Sequence, residues 1–346
     1  MVRNSLINCI QDFQVIATIG ISKNAGKTTV LNYLIESLHN LSTIGITSIG
    51  YDGEELDVIT KLPKPKILVH EGMIVATCES CLGQTSIKYE RLMDTQMLTA
   101  IGTVIIIKVL SEGFIEVAGP SMSSQIRRLC QVMIDLGCDK VFVDGAASRM
   151  TYGNYVDCSI LSVGAAMSSD MKQVVRATKH IVEMMNLPLA KFVDKSVTNS
   201  LNPYVKVNEK THHYYSFRGN IVDKDVIEIL KAEKDFNSSY SISNINSRFM
   251  DKDEQLDSDI DSLKYIKIIV NDSTSIHLSP RIYNNLKKVN GQIYILNKMN
   301  LVALTINPMS PYGEWFDEVI FMDEIRKVVT LPVFNIIYEE VDNHEK

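Results

Sequence analysis

Apolar and polar positions follow two alternating rhythms along the chain. FQVIATI (13–19) is a short, nearly continuous apolar run and predicts a buried strand. After a glycine-containing loop, TTVLNYLIESLHNL (28–41) sets Val30, Leu31, Leu34, Ile35, Leu38 and Leu41 at helical spacing. Strand, loop and helix make the opening unit of an α/β domain. STIGITSIG (42–50) predicts the next strand, and IGTVIIIKV (101–109), rich in β-branched residues, predicts a fully buried one. SMSSQIRRLCQVMIDLG (121–137) predicts a helix, with Ser121 as N-cap after Pro120 and Gly137 as its stop. CDKVFVDG (138–145) is an apolar strand ending in an aspartate, and DMKQVVRATKHIVEMMNL (170–187) is a helix halted by Pro188. Strands alternating with helices imply a mostly parallel sheet with right-handed crossovers.

The rhythm restarts near residue 200. VKVNEKTHHYYSF (205–217) reads as strand material and DKDVIEILKAEK (223–234) as a helix. Further strands are expected at 265–270, 291–296, 301–306 and 331–338. SPRIYNNLKKV (279–289) reads as a helix opened by a serine cap and an early proline. The stretch 235–262 is dense in Ser, Asn and Asp and too long for a turn, so a mobile insertion is expected there. The expected organisation is a domain at 1–200 and a smaller α/β domain at 201–346, with no internal repeat.

Composition narrows the class. A chain of 346 residues suits about two domains. At 45% hydrophobic and 22% charged it can build a packed core, which excludes global disorder. A net charge of -6 argues against a nucleic-acid coat or a membrane-surface binder. No uninterrupted apolar run is longer than Val104-Ile105-Ile106-Ile107, against roughly 20 residues for a membrane helix. The opening MVRNSLINCIQDFQ has no continuous apolar core, so no signal peptide is expected. Six cysteines in this length do not make a disulfide scaffold, which points to a reduced cytoplasmic setting.

The sharpest chemical signal is Gly20-Ile21-Ser22-Lys23-Asn24-Ala25-Gly26-Lys27-Thr28-Thr29, set between the first strand and the first amphipathic helix. That is the context a phosphate-binding loop needs. Successive N–H groups and a helix N-terminus make a cationic hollow for phosphates. Gly26 allows close approach, Lys27 would bridge the β- and γ-phosphates, and the Thr28 hydroxyl would ligate magnesium. The usual spacing puts a first glycine where Ile21 stands, with Gly20 one residue early. Asp144 ends an apolar strand, the place of a Walker-B carboxylate that holds magnesium directly or through water. Arg149, in Gly145-Ala146-Ala147-Ser148-Arg149, reads either as a phosphate or partner contact or as a solvated surface side chain. In the loop after the second strand, Asp52 and Glu54 are candidates for positioning water or magnesium, with an ordinary Asp-Gly turn as the alternative. The expected site therefore has Lys27, Asp52 and Glu54 as catalytic side chains. Ser22, Lys23, Asn24, Ala25, Gly26, Lys27, Thr28, Thr29 and Arg149 bind the nucleotide, and Thr28 and Asp144 bind the metal. ATP or another NTP with Mg2+ is the expected ligand.

Other patterns carry less. Cys78 and Cys81 have half a zinc site's spacing but no second pair. His212 and His213 point to opposite faces if they lie on a strand. Asp257, Asp259 and Asp261 begin like a calcium loop, but Ser262 and Ile268 replace the required Gly and Glu. Asn297-Lys298-Met299-Asn300 imitates a guanine-reading motif, but Asn300 lacks the carboxylate that accepts both guanine N–H groups, so GTP is not inferred.

Lys23 to Thr29 resembles the loop of SIMIBI-type phosphate-loop proteins, including the molybdopterin-guanine dinucleotide adaptor family. Over a longer span KNAGKTT, SIGYDGE, GPSMSSQI (119–126), VDGAASR and TINPMSP (305–311) resemble the small subunit of the lysine 5,6-aminomutase reactivase. The resemblance departs at Ile21. It implies a P-loop NTPase domain joined to a smaller α/β domain, acting beside a second ATPase subunit. The pair would serve an adenosylcobalamin- and pyridoxal-phosphate-dependent aminomutase, coupling ATP to release of damaged cobalamin. No nucleic-acid or membrane partner is implied. Two other classes stand beside this one: a small-molecule ATP-dependent ligase of the dethiobiotin-synthetase kind, and a GTP-binding adaptor for cofactor insertion. Whether the chain hydrolyses nucleotide itself, or only with a partner, stays open.

Overall fold

The structure is a computed structural model and describes residues 5–50, 67–145, 155–191, 204–209, 212–217, 219–237 and 265–336. The chain divides into two compact units, residues 1–185 with 299–346, and residues 186–298. The second unit is therefore an insertion within the first. The expectation of a single second domain over 201–346 had placed the C-terminal strands in the wrong company, for a reason visible in their pairing below.

The first unit begins with α1 (Leu6–Ile10), β1 (Val15–Gly20), α2 (Lys27–Leu38) and β2 (Ile44–Ser48). It continues through β3 (Ile67–Val69), β4 (Ile74–Cys78), β5 (Tyr89–Thr99), β6 (Gly102–Val109) and β7 (Gly113–Ile115). Then come α3 (Ser123–Asp135), β8 (Lys140–Asp144), β9 (Cys158–Gly164) and α4 (Met171–Met185). In the second unit lie β10 (Tyr204–Glu209), β11 (His212–Phe217), β12 (Ile221–Val222), α5 (Asp223–Asn237), β13 (Tyr265–Asp272), β14 (Ile276–His277), α6 (Pro280–Lys288) and β15 (Gln292–Asn297). The chain then returns to the first unit for β16 (Leu301–Asn307), α7 (Glu318–Val328) and β17 (Val333–Phe334).

Nine strands form one sheet in the order β17-β16-β9-β1-β8-β2-β4-β6-β5. From β17 to β4 every neighbouring pair is parallel, and β6 and β5 add an antiparallel margin. β16 pairs with β9 from Leu301 to Asn307, which is why the last strands belong to the first unit. Both faces are covered. Val15, Ala17, Ile19, Val141 and Val143 meet α3, α4 and α7 on one side, through Ile126, Leu129, Met133, Val174, Val182, Phe321 and Ile325. Ile16, Ile44, Ile46 and Phe142 meet α1 and α2 on the other, through Leu6, Ile10, Val30, Leu31, Leu34 and Leu38. Burial on both faces explains the continuous apolar runs. Phe142, fully buried, is a centre of this core, and its truncation to alanine should cost about 3–5 kcal/mol.

Local signals met mixed fates. Gly137, at φ +99, ends α3, and its N–H donates to the Ile134 carbonyl. Ser121 does not cap that helix. The N-cap is Met122, whose side chain makes no capping hydrogen bond. Ser279 does cap α6, accepting the Ile282 N–H, with Pro280 in the first turn. The edge strand β5 is mostly exposed, charged and irregular, with Arg91 bridging Asp94 and Glu79. Those are the features that keep an edge from recruiting another strand.

The second unit is a four-stranded sheet, β10-β11-β13-β15, in which β10 and β11 form an antiparallel hairpin and the rest run parallel. The expected strand at 205–217 is thus two. α5 extends to Asn237, so the segment expected as an insertion from 235 begins inside a helix. Its residues from 238 on, with the Asp257–Asp261 pattern, lie outside the described residues.

Candidate functional site

The order of strands sets the site. From β1 the chain crosses to β2 on one side, and after β8 it crosses to β9 on the other. The carboxyl edge of β1, between β8 and β9, is therefore the point where an open α/β sheet leaves a ligand crevice.

The loop from Ile21 to Gly26 rises from that edge. Ile21 prolongs the pairing, its N–H donating to the Ser162 carbonyl at 2.9 Å. Its side chain packs against the α3–α4 face of the core. This is what stands where a first glycine was expected: one more strand residue, anchored in apolar surroundings. Asn24 and Gly26 take positive φ, 58° and 100°. Gly26 is the N-cap of α2 and its carbonyl accepts the Val30 N–H. A Cβ on Gly26 would stand 3.2 Å from the Cβ of Asn307. Conformation and space both demand glycine here. Lys27 and Thr28 open α2, where the first N–H groups of a helix lack intrahelical partners and the helix dipole favours anions.

Lys27 reaches across to β8. Its Nζ donates to the Gly145 carbonyl at 2.7 Å, a charge-assisted bond. Asp144 lies in register with Thr18 of β1 and Ser48 of β2. By the two-residue period of a strand it shares the face of Phe142, the face that α2 covers. Lys27 and the Asp144–Gly145 end of β8 are thus brought together, while Thr28 and Asp144 lie on the same side of the sheet. Ser22 stays local, its hydroxyl donating to the Lys23 carbonyl. Lys23, Asn24 and Thr29 are exposed, and Ala25 is buried. Asp52, Glu54 and Arg149 lie outside the described residues.

Sequence reasoning missed a row of small polar side chains under the loop. Thr18, Ser48, Ser162 and Thr305 lie in the carboxyl-terminal halves of their strands on the α2 side and are all buried. Thr305 donates to Ser162 at 3.0 Å, and Ser48 donates to the Asp144 carbonyl at 3.2 Å. The Thr18 hydroxyl is buried with no hydrogen-bond partner among the described residues. The signal was available: each is a hydroxyl in the carboxyl-terminal half of a mostly apolar strand.

Asn307 was also missed. It ends β16, and with Ala25, Gly26, Thr29, Val30, Thr305, Ile306 and Ile336 it lines a small pocket beside the loop. Its side chain accepts the Met309 N–H. Gly119 fixes a further loop against the same edge. Its N–H donates to the Gly50 carbonyl, and the Gly50 N–H donates to the Pro120 carbonyl. A Cβ on Gly119 would fall 1.8 Å from the Ser48 carbonyl oxygen. The segments KNAGKTT, Ser48-Ile49-Gly50, Gly119-Pro120, Asp144-Gly145 and Asn307-Pro308-Met309 all end on this one edge.

The decoys resolve as scaffolding. Cys78 is buried beside Thr99, 2.9 Å from its hydroxyl, and Cys81 is buried too. Burial raises the Cys78 thiol and pushes Cys81 up to about 11. Such thiols are poor nucleophiles and poor ligands. Asn297 donates to Asn271 in the second unit, and Asn300 donates to the Asp157 carbonyl in the first, so the two do not act as one motif. No helix among the described residues is long and apolar enough to cross a membrane.

Compared with known protein families, curated proteins and solved structures, the chain matches none.

Proposed function

We propose that the β1–α2 loop is a phosphate-binding loop and that the chain binds a magnesium nucleotide there. It would do so as the small subunit of an ATP-dependent reactivase for an adenosylcobalamin-dependent aminomutase. The single observation that carries the nucleotide reading is the Gly26–Lys27 turn: a left-handed glycine cap opening a helix, with the next lysine laid across the end of β8. The residues present suit Mg-ATP by their chemistry. The first turn of α2 and Lys27 supply N–H and ammonium donors for phosphate oxygens. Thr28 and Asp144 supply the hard oxygen donors that magnesium takes. The buried Thr18 hydroxyl is a polar atom beside Asp144 with no hydrogen-bond partner among the described residues.

Bound nucleotide would supply phosphate charge at the switch-point edge, and the chain's own residues would do the rest. Lys27 would leave the Gly145 carbonyl to meet the phosphates. That exchange releases the end of β8, whose Asp144 carbonyl also accepts from Ile49 N–H and Ser48. A nucleotide thus has a route to bias the ends of β2 and β8 between two arrangements, which is what coupling to a partner requires. The reactivase role, the second ATPase subunit and the aminomutase come from the resemblance of KNAGKTT, GPSMSSQI, VDGAASR and TINPMSP. The described parts of these segments share one edge, which supports reading them as one site.

The test is a reactivation time course on a cobalamin-inactivated aminomutase with ATP, magnesium, fresh adenosylcobalamin and the partner subunit. This chain is present, omitted, or carries Lys27→Ala. Recovery only with the unaltered chain is expected. Equal recovery in all three arms would remove the reactivase reading and favour a small-molecule ATP-dependent ligase, for which substrate-stimulated turnover without a partner is the assay.

A further inference from the structure

The far end of α2 gathers a second set of donors that nucleotide binding does not use. α2 contributes Glu36 and, at its C-cap, His39. The turn between β3 and β4 contributes His70, and the turn between β6 and β7 contributes Glu112. One ligand atom from each of Glu36, His39 and His70 lies within 4.8 Å of the other two. His70 Nε2 is 3.1 Å from Glu36 Oε2, and its Nδ1 is 3.3 Å from Glu112 Oε2. The His39 and His70 rings stack with centroids 3.9 Å apart. His70 is only 12% exposed, whereas both carboxylates reach solvent.

The hydrogen bonds sort the ring nitrogens. His39 Nδ1 faces the Glu36 backbone carbonyl at 3.0 Å, so that nitrogen carries the proton. His39 Nε2 receives the Asn40 amide at 2.8 Å, which requires a lone pair there. In a neutral ring, His70 Nδ1 donates to Glu112 and leaves the Nε2 lone pair facing Glu36 Oε2. A lone pair and a carboxylate oxygen repel at 3.1 Å unless something positive lies between them. A proton would serve that pair alone. A metal ion would also use the second Nε2 lone pair, that of His39, once its ring turns out of the stack. An imidazole held through its other nitrogen by a carboxylate or a carbonyl is the arrangement that orients metal-ligating histidines, and both rings have it.

We propose that Glu36, His39 and His70 bind one divalent transition-metal ion of the zinc class, with Glu112 orienting His70. Two imidazoles and one carboxylate, with a fourth position left for water, suit zinc, whereas magnesium and calcium prefer all-oxygen sets. Binding displaces Asn40 from His39 and splays the stacked rings, because the ion must lie in both ring planes. The site pins the end of α2 to two turns of the sheet. α2 has 12 residues, so this site stands about 18 Å along the helix from the phosphate loop, at 1.5 Å per residue.

The test uses the full-length chain stripped of metal by a chelator. It is titrated with zinc by calorimetry and with cobalt(II) by visible absorption. One equivalent should bind, and the cobalt complex should show tetrahedral d–d bands without a thiolate charge-transfer band. His39→Ala and Glu36→Gln alter residues at the helix surface and should keep the fold, as a circular-dichroism melt would verify. Each should weaken zinc binding by at least about tenfold, and Glu112→Gln by about 10–100-fold. No binding, a thiolate band, or unaltered zinc affinity in both ligand variants would overturn the proposal.

Discussion

The two ends of α2 solve different problems with different materials. At the N-terminus the donors come mainly from one contiguous stretch, Gly26 to Thr29, shaped by a left-handed glycine and by the start of the helix. At the C-terminus they come from three separate stretches, and only packing brings Glu36, His39, His70 and Glu112 together. The first end uses backbone N–H groups, which any sequence owns once the turn is made. The second uses side chains, which have meaning only after the fold exists. On the proposed reading one helix would carry a hard-anion site and a borderline-metal site, each testable without disturbing the other.

The largest expected effect is at the edge that supports the first site. Gly119→Ala places a methyl group against the Ser48 carbonyl at a distance no packing tolerates. Overpacking costs about 1–3 kcal/mol in ordinary cases and more where backbone must move, so a loss of at least about 3 kcal/mol is expected in a denaturant titration. An unaffected midpoint would mean that the Gly50–Gly119 contact is not a fixed part of the edge. Next comes Gly26→Val. A β-branched residue at φ +100 carries about 1–3 kcal/mol of strain, and nucleotide binding should vanish. Zinc affinity should stay as in the unaltered chain. His39→Ala should give the mirror result: zinc binding weakened, nucleotide binding kept. If either variant abolishes both activities, the ends are not independent.

A smaller and more selective effect is expected for Asp144→Asn. The shape is kept and the charge lost, so the ligand-free melting temperature should hold while stabilisation by Mg-ATP disappears. A large drop without ligand would mark Asp144 as a structural cap of β8 instead. A further effect, read through pH, concerns the sheet behind both ends. Burial pushes the Cys130, Cys138 and Cys158 thiols up to about 12 and Cys81 up to about 11, from an ordinary 9.0. The unfolded chain releases these protons first, so stability falls as pH rises above about 9 and keeps falling until the folded thiols ionise. A melt at about pH 10 should lie below one at neutral pH. A flat profile would show that burial does not hold these thiols protonated.

The sequence carried the fold wherever one rhythm dominated. β1, α2, β8, α4 and α6 follow directly from apolar spacing and punctuation by Gly and Pro. β5 was illegible because an exposed edge strand has no apolar face to show, and its residues from Tyr89 to Thr99 read as polar chain. The place of β16 was illegible for another reason: LVALTI reads the same in either sheet, and only pairing with β9 assigns it to the first unit. At the site, the contiguous loop was readable at once. The row of Thr18, Ser48, Ser162 and Thr305 and the partner of Gly26, Asn307, needed the sheet order, since they lie on different strands. The imidazole cluster needed still more: residues 36 and 39 share a helical spacing, but nothing in the sequence links them to 70 and 112.

The central claim is that Lys27 and its loop bind nucleotide phosphate, and calorimetry tests it most directly. ATP is titrated into the full chain and into Lys27→Ala, with magnesium and with a chelator. Charge-assisted contacts are worth about 1.5–3 kcal/mol, so Lys27→Ala should weaken binding by roughly one to two orders of magnitude. Equal affinity in the two chains would contradict the phosphate-loop account.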